Sequence, residues 1–160
     1  MPRIDSAPMD LTIATHRGVD CRFEGLNLRT DLPYSRYVTG DNTGFEFHLR
    51  AITNDETRRL DAKFYESLDS WGARAQEQGA SPTNHAPQMS SVDVLEPIKA
   101  NITDDAGTSY ICICGRTGGT GTDWDATWIY YPVPPAEAES LTLEFTISGI
   151  PTGHSCVIEL

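Results

Sequence analysis

The stretch GFEFHLRAI, residues 44–52, places Phe45, Phe47, Leu49 and Ala51 on alternate positions, with Glu46, His48 and Arg50 between them. Successive side chains of an extended chain point to opposite faces, so this pattern predicts a strand with one side buried and one wet. LTLEFTISG at 141–149 repeats it, with Leu141, Leu143, Phe145 and Ile147 inward and Thr142, Glu144, Thr146 and Ser148 outward. The same period runs through Leu11 and Ile13, and through Val19, Cys21 and Phe23. There the apolar phase jumps to Leu26 and Leu28, and a one-residue slip at Gly25 is what a β-bulge leaves in a sequence.

Two further segments, SYICICG at 109–115 and ATWIYYPV at 126–133, are apolar on both faces, which predicts central strands or strands packed on two sides. Between Ile102 and Tyr110 the turn TDDAGT offers Asp104 and Asp105 as acceptors for nearby amides and Gly107 for positive φ. This predicts a hairpin. The terminal CVIEL reads as a short strand. TRRLDAKFYESLDSWG at 57–72 is ambiguous: Leu60, Phe64, Leu68 and Trp71 have helical spacing, while Leu60, Ala62, Phe64 and Leu68 fit a strand, the reading its neighbours favour. Residues 73–91, polar and small with two prolines, are expected to form one long flexible loop inside the domain.

About eight strands joined by Gly/Pro/Asp turns predict an all-β fold: an antiparallel, immunoglobulin-like β-sandwich, with a β-barrel as the alternative. At 160 residues and 17.6 kDa the chain is expected to be one domain over residues 1–160.

Residues 101–160 carry NITDDAGTSY, a glycine-containing loop, and YPVPPAEAESLTLEFTISGIP. This arrangement resembles a group of uncharacterised, mostly actinobacterial β-sandwich proteins. Their pattern is an Asp-Asp-x-Gly turn, a Gly-rich loop, a Pro-rich break and a C-terminal pair of strands. The resemblance implies a β-sandwich and carries no activity with it.

Twelve basic against 23 acidic residues leave a net charge of −11, a field that repels phosphate backbones and anionic lipid headgroups. Nucleic-acid and membrane roles are therefore excluded from the expectation. The N-terminal MPRIDSAPMDLTIAT lacks the apolar core of a secretory signal, which points to the cytoplasm and to free thiols at Cys21, Cys112, Cys114 and Cys156.

The most unusual stretch is GGTGTDWDATWIYYPVPP at 118–135. Its glycines lack the phosphate-cradling order G-x-x-x-x-G-K-[ST], so a nucleotide loop is not expected. Trp124, Tyr130 and Tyr131 are the candidate contact residues, because exposed aromatic rings form platforms for sugars or partner side chains. Asp123 and Asp125 are the candidate oxygen donors for Ca²⁺, although no EF-hand spacing is present. Cys112 and Cys114, expected on one strand face, could with Cys156 and His154 form a zinc set, against the plainer reading of buried thiols. No G-x-S-x-G or H-E-x-x-H motif appears, so no catalytic residue is assigned.

These features favour a non-catalytic module for protein–protein interaction or self-assembly, acting through loops or an edge strand. A carbohydrate or small-ligand module, with Ca²⁺ as its conceivable cofactor, is the alternative, and a hydrolase without a sequence signature is third.

Overall fold

The computed structural model describes residues 11–32, 37–38, 40, 42–78, 85–119 and 123–160. Among them, strands β1 (Leu11–His16), β2 (Val19–Arg29) and β3 (Gly44–Ala51) are followed by helices α1 (Asp55–Gln78) and α2 (Ser90–Leu95). Strands β4 (Ile98–Asp104), β5 (Ile111–Gly118), β6 (Asp125–Tyr131), β7 (Ser140–Ile147) and β8 (Ile150–Glu159) complete the order. A five-stranded antiparallel sheet, β1-β2-β3-β6-β5, packs on a three-stranded one, β4-β7-β8. The chain is a β-sandwich; two separate sheets replace the closed ring a barrel requires.

The alternation read in the sequence is the core. Phe45, Phe47, Leu49, Ala51, Leu141, Leu143 and Phe145 are all essentially inaccessible. Phe23 and Phe47 stack with centroids 5.3 Å apart, and Phe145 of the facing sheet meets them at 5.5 and 5.9 Å. Thr146 departs from the expected outward set and is buried, beside the register shift between Glu144 and Thr146. The slip at Gly25 is a bulge: pairing of β2 with β3 jumps from Phe23 to Leu26, and Gly25 has φ 103°. That conformation suits a residue without Cβ. β7 and β8 are joined by Ser148 and Gly149, both with positive φ, the two-residue turn whose twist matches a hairpin.

Four expectations are corrected. Residues 57–72 form no strand; they lie within the 24-residue helix α1. Asn54 opens it: its Oδ1 accepts from the Thr57 N–H at 2.9 Å while the Asn54 N–H donates to Thr57 Oγ1 at 2.8 Å, two amides satisfied reciprocally at the N-terminus. Asp55 and Glu56 in the first turn complement the helix dipole. The expected loop over 73–91 is accordingly shorter, since residues 73–78 continue α1 and 90–91 begin α2; its residues 79–84 lie outside the described set.

The TDDAGT turn does supply its acceptors. Asp104 Oδ1 accepts from the Ala106 and Thr108 amides at 3.0 and 2.9 Å, Asp105 Oδ1 from the Glu139 amide at 2.9 Å, and Gly107 has positive φ. It joins no hairpin, however: β4 pairs with β7 and β5 with β6, so the turn carries the chain from one sheet to the other. Finally, β6 is central as expected, but β5 is an edge strand, so its second apolar face has no neighbouring strand.

Candidate functional site: an open edge strand between two clefts

Of the aromatic platforms expected in the sequence, two are interior. Trp124 is 0% exposed, and its Nε1 donates to Asp61 Oδ2 of α1 at 3.2 Å. Tyr130 is 3% exposed, its ring stacked on Phe45 and its phenol pushed up by burial. A stacking platform needs an open face, so neither ring serves as one; Tyr131 is half-buried at the end of β6. Asp123 and Asp125 are exposed, and among the described residues no three His, Cys, Asp or Glu side chains converge as a metal site would require.

The cysteines separate. Pairing of β5 with β6 shifts register between Cys112 and Cys114, placing Cys112 opposite inward Tyr130 and Cys114 opposite Ile129. The expected shared face is thus broken by a bulge at Ile113. Cys112 lines the space between the sheets and Cys114 the outer sheet surface. Cys156 sits half-buried in the other sheet, its thiol pushed up to about 11 by burial.

A sandwich of two open sheets has four edges, here β1, β4, β5 and β8, and an edge is a row of backbone groups ready to pair with another chain. Two of the four are met by capping side chains, and a third is interrupted in its first half. β4 is capped by side chains from β6: Trp128 Nε1 donates to the Ile98 carbonyl at 2.8 Å. The Tyr130 hydroxyl donates to the Ala100 carbonyl at 3.1 Å and accepts from the Ala100 amide at 3.3 Å. Lys99 lies over the Trp128 ring, 4.4 Å from its centroid, and covers it. β8 contains Pro151, which has no N–H to offer, and Gly153 at φ 88°. β1 lies beside β8, and Thr152 Oγ1 donates across to the Ile13 carbonyl at 2.7 Å.

β5 differs. Among the described residues, no backbone hydrogen bond reaches it from outside its ladder with β6. Helix α2 covers only its far end, where Ser91 Oγ donates to the Gly119 carbonyl at 2.7 Å and Met89 approaches Gly118. Residues 111–116, Ile-Cys-Ile-Cys-Gly-Arg, are left open, with Ile111 37% exposed and Cys114, Gly115 and Arg116 exposed as well.

A cleft lies on each side of this strand. The inner one, about 810 Å³, opens between β5 and β4, with Tyr110, Ile111, Cys112 and Tyr130 on one side and charged or polar residues such as Asp93, Lys99 and Asn101 on the other. Its wall is fixed by Tyr110, which meets Phe45 edge-on and donates to Asp104 Oδ2 at 2.7 Å. The outer one, about 410 Å³, lies on the exposed face of the large sheet over Ile129, bordered by Cys114, Arg116, Thr127, His48 and Arg29. His48 is held there by a cross-strand ladder, its Nε2 pairing with Asn27 at 3.0 Å and its Nδ1 with Thr127 Oγ1 at 3.2 Å. Arg29 bonds Glu46 at 2.8 Å, whereas Arg116 has no ion pair among the described residues.

The sequence held a signal for this edge that was read the other way: a strand apolar on both faces is either sandwiched between neighbours or waiting for one. No helix among the described residues is long and apolar enough to cross a membrane. The class defined by fold and site is thus a two-sheet β-sandwich whose β5 edge, among the described residues, is uncapped over 111–116 and lies between two clefts. Comparison with protein-family models, curated proteins and solved structures finds no match.

Proposed function

We propose that this protein is a non-catalytic β-sandwich module that binds another protein chain, with β5 accepting a partner segment as an added strand. The observation that carries the reading is that 111–116 of β5 stand uncapped among the described residues with a cleft on either side, while side chains cap β4 at Ile98 and Ala100 and reach β1 at Ile13, and Pro151 and Gly153 interrupt the first half of β8. Strand addition gains affinity from main-chain hydrogen bonds and specificity from pockets that take alternate side chains, and a cleft on each side of β5 supplies both sets of pockets. Two copies at −11 each repel, which favours a different chain over self-assembly.

The test is positional cross-linking. A benzophenone maleimide is attached to Cys114 in a Cys112→Ser, Cys156→Ser background, and separately to a cysteine introduced at Val157 on β8, with Cys114 replaced by serine. Adducts with a second polypeptide form from the β5 position and not from the β8 position. Equal labelling from both edges, or none from β5, removes the reading.

A further inference from the structure

Resting on strand addition at β5, we infer the chemistry of the added segment: apolar side chains directed into the inner cleft alternate with carboxylate side chains directed at Arg116. The strand itself sets the alternation. Cys112 faces the space between the sheets and Arg116 the outer surface, so a neighbouring strand sends its side chains opposite these two residues to opposite sides.

On the inner side such a side chain first meets the β5 and β6 side of the cleft, Tyr110, Ile111, Cys112 and Tyr130, where the tyrosine hydroxyls are already committed to Asp104 and Ala100, while Asp93, Lys99 and Asn101 line the cleft from α2 and β4. An apolar group packed against that side leaves both hydroxyls bonded as they are. On the outer side the nearest cross-strand neighbour is Arg116. Directly opposed side chains have Cβ atoms about 5 Å apart, close enough for an ion pair. Arg29 and Arg50 on the same sheet are neutralised by Glu46 and Glu24, but among the described residues Arg116 meets no carboxylate.

At contact distance an exposed guanidinium that meets no carboxylate among the described residues selects an acidic group over a basic one, against the longer-range repulsion of a chain at −11. Thr127 borders the same cleft and offers a hydroxyl to the second carboxylate oxygen, whereas both ring nitrogens of His48 are engaged and Glu46, also in the lining, is held by Arg29. A lysine at that position in the partner would oppose Arg116 directly, and like charges facing each other across strands are destabilising.

The experiment uses two blocked, fluorescein-labelled heptapeptides of extended propensity, Thr-Val-Glu-Val-Glu-Val-Thr and its counterpart with lysine for glutamate, titrated against the whole chain by fluorescence anisotropy. The glutamate peptide binds about 10-fold more tightly, as a difference of about 1.4 kcal/mol requires. Arg116→Glu, an exposed change whose folding is checked by circular dichroism, reverses the ranking. Equal binding of the two peptides overturns the carboxylate inference and leaves strand addition standing. Binding undiminished by N-methylation of alternate peptide amides overturns strand addition itself, and no binding of either up to about 1 mM overturns both.

Discussion

The hydroxyl of Tyr130 brackets a single residue of the facing sheet, accepting from the Ala100 amide at 3.3 Å and donating to the Ala100 carbonyl at 3.1 Å. One side chain thereby occupies both polar groups that Ala100 would otherwise present along the free edge of β4. Tyr130→Phe keeps the ring stacked on Phe45 but leaves a buried amide and carbonyl unpaired, at a cost of about 1–3 kcal/mol. The midpoint of urea unfolding falls accordingly. Because the uncapped β4 edge becomes a template, the variant also aggregates faster at equal fraction folded, measured by light scattering. An unchanged midpoint with unchanged scattering contradicts the capping role.

Trp124 anchors α1 to the base of the sandwich. It is fully buried, and its indole donates to Asp61 in the second turn of the helix, where Thr57 and Asp61 are the buried residues. Trp124→Phe removes the hydrogen bond and keeps most of the volume, costing about 1–2 kcal/mol; Trp124→Ala also opens a cavity, for about 3–5 kcal/mol. Hydrogen exchange of amides 58–62 accelerates in both variants. Protection that survives in Trp124→Ala places the anchor elsewhere.

The strands were legible because burial on one side of a sheet imprints a period of two, as at Phe45/Phe47/Leu49 and Leu141/Leu143/Phe145. The Gly25 bulge was legible because a phase slip and a positive φ leave a mark together. Helix α1 was misread because only its first turns are packed: Ala62 and Tyr65 are exposed and Phe64 half-buried, so neither period is enforced. Its true signal was local, the Asn54-x-x-Thr57 cap followed by acidic residues and the i,i+3 pairs Asp55–Arg58 and Glu56–Arg59. The open edge was illegible for another reason. Periodicity reports which faces are apolar, whereas strand order, a non-local property, decides whether a neighbour covers them. Trp124 illustrates the same gap, since nothing within its own loop announces Asp61, 63 residues away.

Reactivity of the four thiols follows from their places in the two sheets. Cys114 is exposed on the open edge, Cys112 and Cys156 are half-buried, and Cys21 is fully buried. Burial, with Asp20 nearby, pushes the Cys21 thiol up to about 12; burial raises Cys112 against the opposing charge of Lys99, and burial alone takes Cys156 up to about 11. Only the thiolate attacks an alkylating reagent. Iodoacetamide at pH 8 therefore modifies Cys114 first and Cys21 last, as read by peptide mass spectrometry. Addition of a strand-forming ligand slows Cys114 and leaves the rate at Cys156 unchanged. Cys156 reacting before Cys114 contradicts the exposure of β5.

Asp104 gives the corner between the sheets a dependence on pH. Desolvation raises its carboxyl, but the Tyr110 hydroxyl and the Thr108 and Ala106 amides, all donating to the ionised form, outweigh it and hold the group at about 2. A group depressed in the folded state contributes stability in full above its unfolded value, here near 3.8, and loses it as pH falls towards about 2. Solvent screening at this partly exposed turn reduces the contribution to the order of 1 kcal/mol. Other carboxylates titrate in the same window, so the informative quantity is the difference in melting temperature between the wild type and Tyr110→Phe. That variant removes one donor to the ionised form, and the gap is constant above pH 5 and narrows as pH falls from about 4 to about 2. A gap of constant size down to pH 2 assigns the effect of Tyr110→Phe to packing against Phe45 and not to the bond with Asp104.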